Sequence, residues 1–347
     1  MPSVIDASAV MNRHAFIFRQ GLDPRGIVAL PGDASARRYY RLRWRGVLLM
    51  EEKPGSPDLE RFVTISRYLT ALGLSAPRVH TVDYEAGLAL IEDFGQQTFT
   101  RLLQAGHDEV PLYELAVDAL VHLHERGSEE RPHLPGYDFG PLDDELFMFT
   151  DWYVPECAPE VDAKAFKAEF MGLWHEALRE MAACREVLVL RDFHVDNLMV
   201  IEGREGAARC GLLDFQDGVF GSAAYDLVSL TQDARRDLTP GLEEHLIEYY
   251  LSRRPGLNRE RFMADYWLLA AHRHTKILGN FERLSKRDGK HGYLDFIPRV
   301  QAQLARALPK AGLEQITALM ERVLPGWAKH VPTVPATADE QKKANVA

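Results

Sequence analysis

LVLRDFHVDNLMV, residues 188–200, carries Asp192, His194, Asp196 and Asn197 between two apolar runs. The flanks have strand length and belong in an interior, whereas the short stretch between them offers carboxylates, an imidazole and an amide. GLLDFQDG, residues 211–218, repeats the arrangement: a buried-type run ends in Asp214, and Asp217 follows. Strands over 198–202 and 210–213, joined by the turn EGREGAA, form a hairpin whose open end brings Asn197 near Asp214.

An amide oxygen and a carboxylate at one open end are hard oxygen ligands of the kind magnesium prefers. Asp192, on the same loop, is placed to accept a proton from a hydroxyl. One base, two metal ligands and no convincing nucleophilic Ser or Cys point to direct phosphoryl transfer from a nucleotide to an alcohol. The plain alternative is a pair of Asx-rich turns, which leaves the matched apolar flanks and the spacing unexplained.

Working outward, 347 residues are more than most single cores hold, so two lobes are expected. Residues 11–21 read as a leading helix. IVAL, RYYRLRW and VLLM within 27–52 read as three strands, the last two a hairpin turning at Arg45-Gly46. Leu59, Phe62, Val63, Ser66, Leu69 and Leu72 give a helix over 58–74 that Gly73 stops. VHTVDYEAGLALIEDFG, 79–95, is a second hairpin, turning at 85–87. Past Phe94-Gly95 the period becomes helical: 109–126, 161–183, 222–235, 241–251, 258–278, 298–306 and 312–324, with a loop over 127–142. The expected division is 1–95 as a nucleotide-binding lobe, 96–330 as a helical catalytic and acceptor-binding lobe, and 331–347 as a loose tail.

The formal net charge of −10 argues against a nucleic-acid surface. Cys157, Cys184 and Cys210 lie far apart and suggest neither a disulfide framework nor a zinc site. Neither a signal peptide nor a membrane-spanning run is visible, so a cytoplasmic protein without a membrane partner is expected. The oligomeric state is left open, a monomer included.

Asp192, four residues, then Asn197 resembles the catalytic loop of the protein-kinase-like superfamily, with Asp214 at its magnesium aspartate. LLDFQDGVFGSAAYDL and the helical second lobe resemble the aminoglycoside-phosphotransferase-like branch, which acts on small molecules. GDASARRYYRL (32–42), FTDWYVPE (149–156), RDFHVDNLM (191–199) and the stretch 272–300 look closer still to the bacterial cell-wall-recycling kinases. Those enzymes phosphorylate the anomeric hydroxyl of N-acetylmuramate and N-acetylglucosamine. The resemblance covers about 20–325. It implies an α+β, protein-kinase-like two-lobed fold with a small antiparallel-sheet N-lobe and a mostly helical C-lobe. It also implies ATP and Mg2+, a small-molecule sugar substrate and a place in peptidoglycan recycling.

On that resemblance Asp192 is the base, and Asn197 and Asp214 hold magnesium. His194 stands where protein kinases keep a phosphate-contacting lysine, and either does that duty or orients the loop. Asp217 touches a second metal or a substrate hydroxyl, and Asp226 is structural. Gly32 and Ser35 lie near the nucleotide phosphates, while backbone groups of Glu92 and Phe94 face adenine. Asp93-Phe94-Gly95 spells the superfamily's metal motif but precedes the catalytic loop, which suits a hinge instead. Two further departures are Leu190 in place of the superfamily's histidine and a phosphate loop that keeps only Gly32. The largest is Met50, where an ATP-binding lysine is expected; Arg38 is the leading substitute, with Arg37 and Lys53 as others. For the acceptor, Asp151 and Trp152 are read in a loop before a helix, and Arg273 or His274, with Lys276 nearby, as cations for a lactyl carboxylate. The rivals are a kinase for an aminoglycoside, choline or homoserine, a pseudokinase-like binding module, and a magnesium-dependent hydrolase using Asp192, Asp214 and Asp217.

Overall fold

The computed structural model describes residues 7–31, 37–43, 46–127, 131–331 and 333–334. Gly32, Ser35, Arg45 and nearly all of the expected tail lie outside the described residues. Packing divides the chain into two compact units, Met1–Leu134 with Leu190–Gly218, and Pro135–Val189 with Val219–Ala347. The turn-rich join at 92–97 lies inside the first of these.

The first unit holds a five-stranded antiparallel sheet: β1 (Ile27–Ala29), β2 (Arg38–Leu42), β3 (Val47–Glu51), β4 (Val79–Asp83) and β5 (Leu88–Glu92), in the order β1-β2-β3-β5-β4. Side chains alternate across it. Tyr40, Leu42, Leu49, Leu88 and Leu90 form a cluster with Phe16 and Ile17 of the leading helix. Arg13 ties that helix down, bonding the Tyr40 hydroxyl at 2.8 Å and both Glu51 oxygens at 2.9 and 2.8 Å. Tyr39, Met50 and Ala89 stand opposite one another on the other face. The hairpin turn needs its glycine, since Gly87 has a φ of 71° and a Cβ there would meet the Glu52 carbonyl oxygen at 2.3 Å.

The helix Pro57–Ala71 begins where local chemistry says it should. Ser56 caps the Asp58 amide, Pro57 occupies the first turn, and Asp58 and Glu60 complement the dipole. Gly73, at a φ of 84°, follows its end. Phe99–Gln104 is a short helix that the sequence pattern did not announce. Leu198–Val200 pairs antiparallel with Cys210–Leu212, and Leu212 N–H reaches Ser75 O at 2.7 Å, fastening the hairpin to this unit.

The second unit is mostly helical, around Arg259–Asp288. That helix runs well past the expected end at 278. A Cβ on Gly279, one residue past that expected end, would lie 2.1 Å from the Met148 carbonyl group, so this glycine permits close packing. The segment facing it is Phe149–Tyr153, a π-helical stretch between Phe139–Met148 and Val154–Cys157. Asp151 and Trp152 therefore sit within a continuous run of helix, and part of the expected 127–142 loop is helical. The expected 161–183 helix breaks into Ala163–Ala177 and Arg179–Ala183. Among the described residues no helix is long and apolar enough to cross a membrane.

Candidate active site

Among the described residues, two that are not glycine hold a positive φ: Arg191 at 70° and Asp214 at 57°. Each stands in one of the two polar loops. Asp192 N–H bonds Leu190 O at 2.9 Å, closing a three-residue turn around Arg191, a strained form. Strain of this sort persists only where the surroundings over-determine it, and it concentrates at functional sites.

The Asp192 loop is braced from within. Asn197 N–H bonds His194 O at 2.8 Å. The Asn197 side-chain nitrogen donates to Asp192 O at 2.9 Å and lies 3.4 Å from His194 Nε2. His194 is buried, with its ring beside the Asn197 amide. Thr100, on the short helix, bonds Asp196 through its hydroxyl. With the amide nitrogen spent on the loop, Asn197 keeps its oxygen available: no donor among the described residues takes it.

The second loop arrives beside the first because Leu213 N–H bonds Asn197 O at 2.9 Å. Asp214 Oδ1 accepts from Gln216 Nε2 at 2.8 Å, and no donor among the described residues takes Oδ2. Asp214 keeps an exposed face, but its setting raises its pKa above the usual carboxylate value. Partial removal from water is the largest cause; Gln216 opposes it, Asp192 and Asp217 add repulsion, and Arg37 pulls the other way. Phe215 is buried and stacks on Phe62 at 5.1 Å, which fixes the loop to the helix Pro57–Ala71.

Open oxygens on Asn197 and Asp214, amid crowded negative charge, fit a magnesium ion that completes its shell with phosphate oxygens and water. Among the described residues no group of three or more His, Cys, Asp or Glu could hold a metal by itself.

The cation beside these carboxylates is Arg37, which sequence reasoning ranked behind Arg38. Strand parity decides between them. Continuing the β2–β3 register one step past Arg38–Glu51 sets Arg37 opposite Glu52, on the face of Tyr39 and Met50. Arg37 bonds Glu52 at 3.1 Å and Gln216 Oε1 at 2.8 Å, with its guanidinium 5.6 Å from the Phe62 ring. Arg38 is exposed on the opposite face, the face of Tyr40. Lys53 is exposed, and its amide caps Glu52 at 3.0 Å. Gln216 was missed because nothing in its local pattern sets it apart from a turn residue.

At 92–97, Glu92 donates its N–H to Arg78 O at 2.9 Å and pairs its carboxylate with Arg204. The Glu92 amide is thus not a free donor for a base. Phe94 makes no backbone hydrogen bond among the described residues, and Arg204 lies 5.3 Å from its ring. Arg41 clamps the neighbouring Asp93, Nη2 to Oδ1 at 2.8 Å.

The phosphotransferase enzyme family model matches residues 26–263. The chain belongs to this family. It is 35% identical to an N-acetylmuramate/N-acetylglucosamine kinase of Caulobacter vibrioides, over 90% of this chain and 95% of that one. A protein of the same name from Pseudomonas aeruginosa is 31% identical, with 83% and 85% covered. An ADP-bound aminoglycoside phosphotransferase superposes with a TM-score of 0.55 at 15% identity, covering 88% of this chain and 99% of that one. The fold is α+β and protein-kinase-like, and the protein is an enzyme of phosphoryl transfer.

The acceptor residues expected from sequence separate sharply in the second unit. His274 is wholly buried, bonded to Gln232 at 2.8 Å, and burial holds its pKa well below the ordinary histidine value. Arg273 is buried against Tyr225, whose hydroxyl it bonds at 3.2 Å. Neither can meet a sugar carboxylate: both are core. Lys276 pairs with Glu145 at 2.7 Å. Asp151 is exposed and paired with Lys167 at 2.7 Å, and Trp152 is half-buried beside it.

Proposed function

We propose that this protein transfers the γ-phosphoryl group of ATP to the anomeric hydroxyl of N-acetylmuramate and N-acetylglucosamine, giving the sugar 1-phosphate and ADP. Asp192 orients that hydroxyl and takes its proton as the oxygen–phosphorus bond forms and the bond to ADP breaks. The anomeric hydroxyl of a reducing sugar is more acidic than an ordinary alcohol, which lessens the demand on this base. Asn197 and Asp214 hold magnesium through the oxygens left open, and His194 keeps the loop in register. When bound, magnesium supplies the positive charge that neutralises the phosphate oxygens. Phe94 offers backbone groups to adenine. Trp152 stacks on the sugar with Asp151 at its hydroxyls; π-helical stretches of this kind are frequent at functional sites. We place the reaction in the cytoplasm, in the recovery of cell-wall amino sugars.

The observation that carries this reading is the meeting of Asn197 and Asp214 at one hairpin end beside Asp192, both with open oxygens, in a chain whose relatives bear amino-sugar kinase names. Product analysis tests it. With ATP and N-acetylglucosamine, phosphorus NMR of the product should show coupling to the anomeric proton, and the methyl glycoside, blocked at C1, should not be consumed. Phosphate found at C6, or consumption of the methyl glycoside, overturns the anomeric assignment.

A further inference from the structure

We infer that Arg37 is a positioning residue for the metal-binding carboxylate, acting through Gln216 and itself held by Glu52. This rests on Asp214 being a metal ligand, as proposed above. A chain of hydrogen bonds crosses the first unit: Glu52 Oε2 to Arg37 Nε at 3.1 Å, Arg37 Nη1 to Gln216 Oε1 at 2.8 Å, and Gln216 Nε2 to Asp214 Oδ1 at 2.8 Å. Every link has one chemical direction. The guanidinium only donates, so Gln216 must turn its oxygen toward Arg37 and its nitrogen toward Asp214. Without Arg37 the amide can flip, and Asp214 loses the donor that fixes one of its oxygens and aims the other.

The chain also explains Met50. That side chain is fully buried on the sheet face where a lysine would have stood. Tyr39 pairs with Met50 across the two strands, and Arg37 lies one pleat repeat further along the same face. The positive charge has moved from β3 to the entrance of β2, and it reaches the carboxylates through an amide. Arginine suits this place better than lysine because its planar fork grips Glu52 and Gln216 at once while its face packs on Phe62. Burial of the pair, with Arg37 and Glu52 side chains 5% and 9% exposed, keeps the geometry fixed.

Manganese binding in the presence of ATP, followed by its spin-resonance signal, tests this apart from turnover. Arg37→Met and Gln216→Leu should each weaken manganese binding about tenfold, the loss of one charge-assisted hydrogen bond. The double variant should be no weaker than either single one, because both cut the same chain. Arg37→Lys should recover part of the affinity. Turnover should follow: the metal concentration for half-maximal rate rises in each variant, while the rate at saturating metal falls less. Thermal melting confirms folding, and Gln216→Leu, at a half-buried site, stands in should Arg37→Met not fold. Unchanged manganese affinity in Gln216→Leu, or fully additive losses, overturns the inference. Asp214→Asn separates the two readings: if it binds manganese as wild type does, the metal assignment itself fails.

Discussion

Two stretches of this chain crowd polar side chains among apolar ones, and they end up as opposites. The loops at 191–197 and 214–217 hold two left-handed residues, leave oxygens open on Asn197 and Asp214, and raise the pKa of Asp214, chiefly by partial burial and then by the nearby carboxylates. The set His272, Arg273, His274 and Lys276 lies on one regular helix and is spent on neighbours. His272 bonds Leu142 O at 3.1 Å, Arg273 the Tyr225 hydroxyl, His274 Gln232, and Lys276 Glu145. In sequence both look like sites. Open oxygens beside strained backbone fit the first to chemistry; burial against neighbouring side chains in a relaxed helix fits the second to architecture.

Substitutions should fall along this division. Asp192→Asn should lower kcat by about 10²–10⁴-fold, with the melting temperature close to wild type; a variant retaining most of its turnover would remove the distinction at its active end. Glu145→Ala should do the reverse. Glu145 accepts from Tyr137 at 2.6 Å and pairs with Lys276, so its loss strands buried partners and should cost about 3 kcal/mol of stability in urea titration. The third effect is smaller and depends on pH. His274 is held neutral by burial, with the charges of Arg273 and Arg306 also lowering its pKa. The unfolded chain therefore takes up the proton first as pH falls below the ordinary histidine value of about 6.5. His274 thus contributes stability above that pH and loses it progressively below, by up to about 1.4 kcal/mol per pH unit. His274→Gln should flatten that part of the stability curve, while catalysis keeps its pH profile. A changed catalytic profile would draw this helix into the chemistry after all.

The sheet, the capped helix at 57–71 and the hairpin at 198–212 were legible because each rests on local rules: alternation, capping chemistry, apolar period and turn residues. The meeting of Asn197 and Asp214 was legible for the same reason, since two strands of known length joined by one turn share an open end. Other features were out of reach. The short helix Phe99–Gln104 lacks a strong period, and the 161–183 pattern concealed a break at Leu178.

The chain order of apolar and polar residues by itself determined the sheet strands, most of the helices, and which two loops meet. Only the tertiary structure decided what each polar side chain faces. Arg37 rather than Arg38 serves the carboxylates because strand register assigns neighbouring residues to opposite faces. Gly279 continues a helix because the Met148 carbonyl packs against it, and His274 is core because distant segments close over it. Those outcomes depend on partners far away in sequence, and no local pattern carries that information.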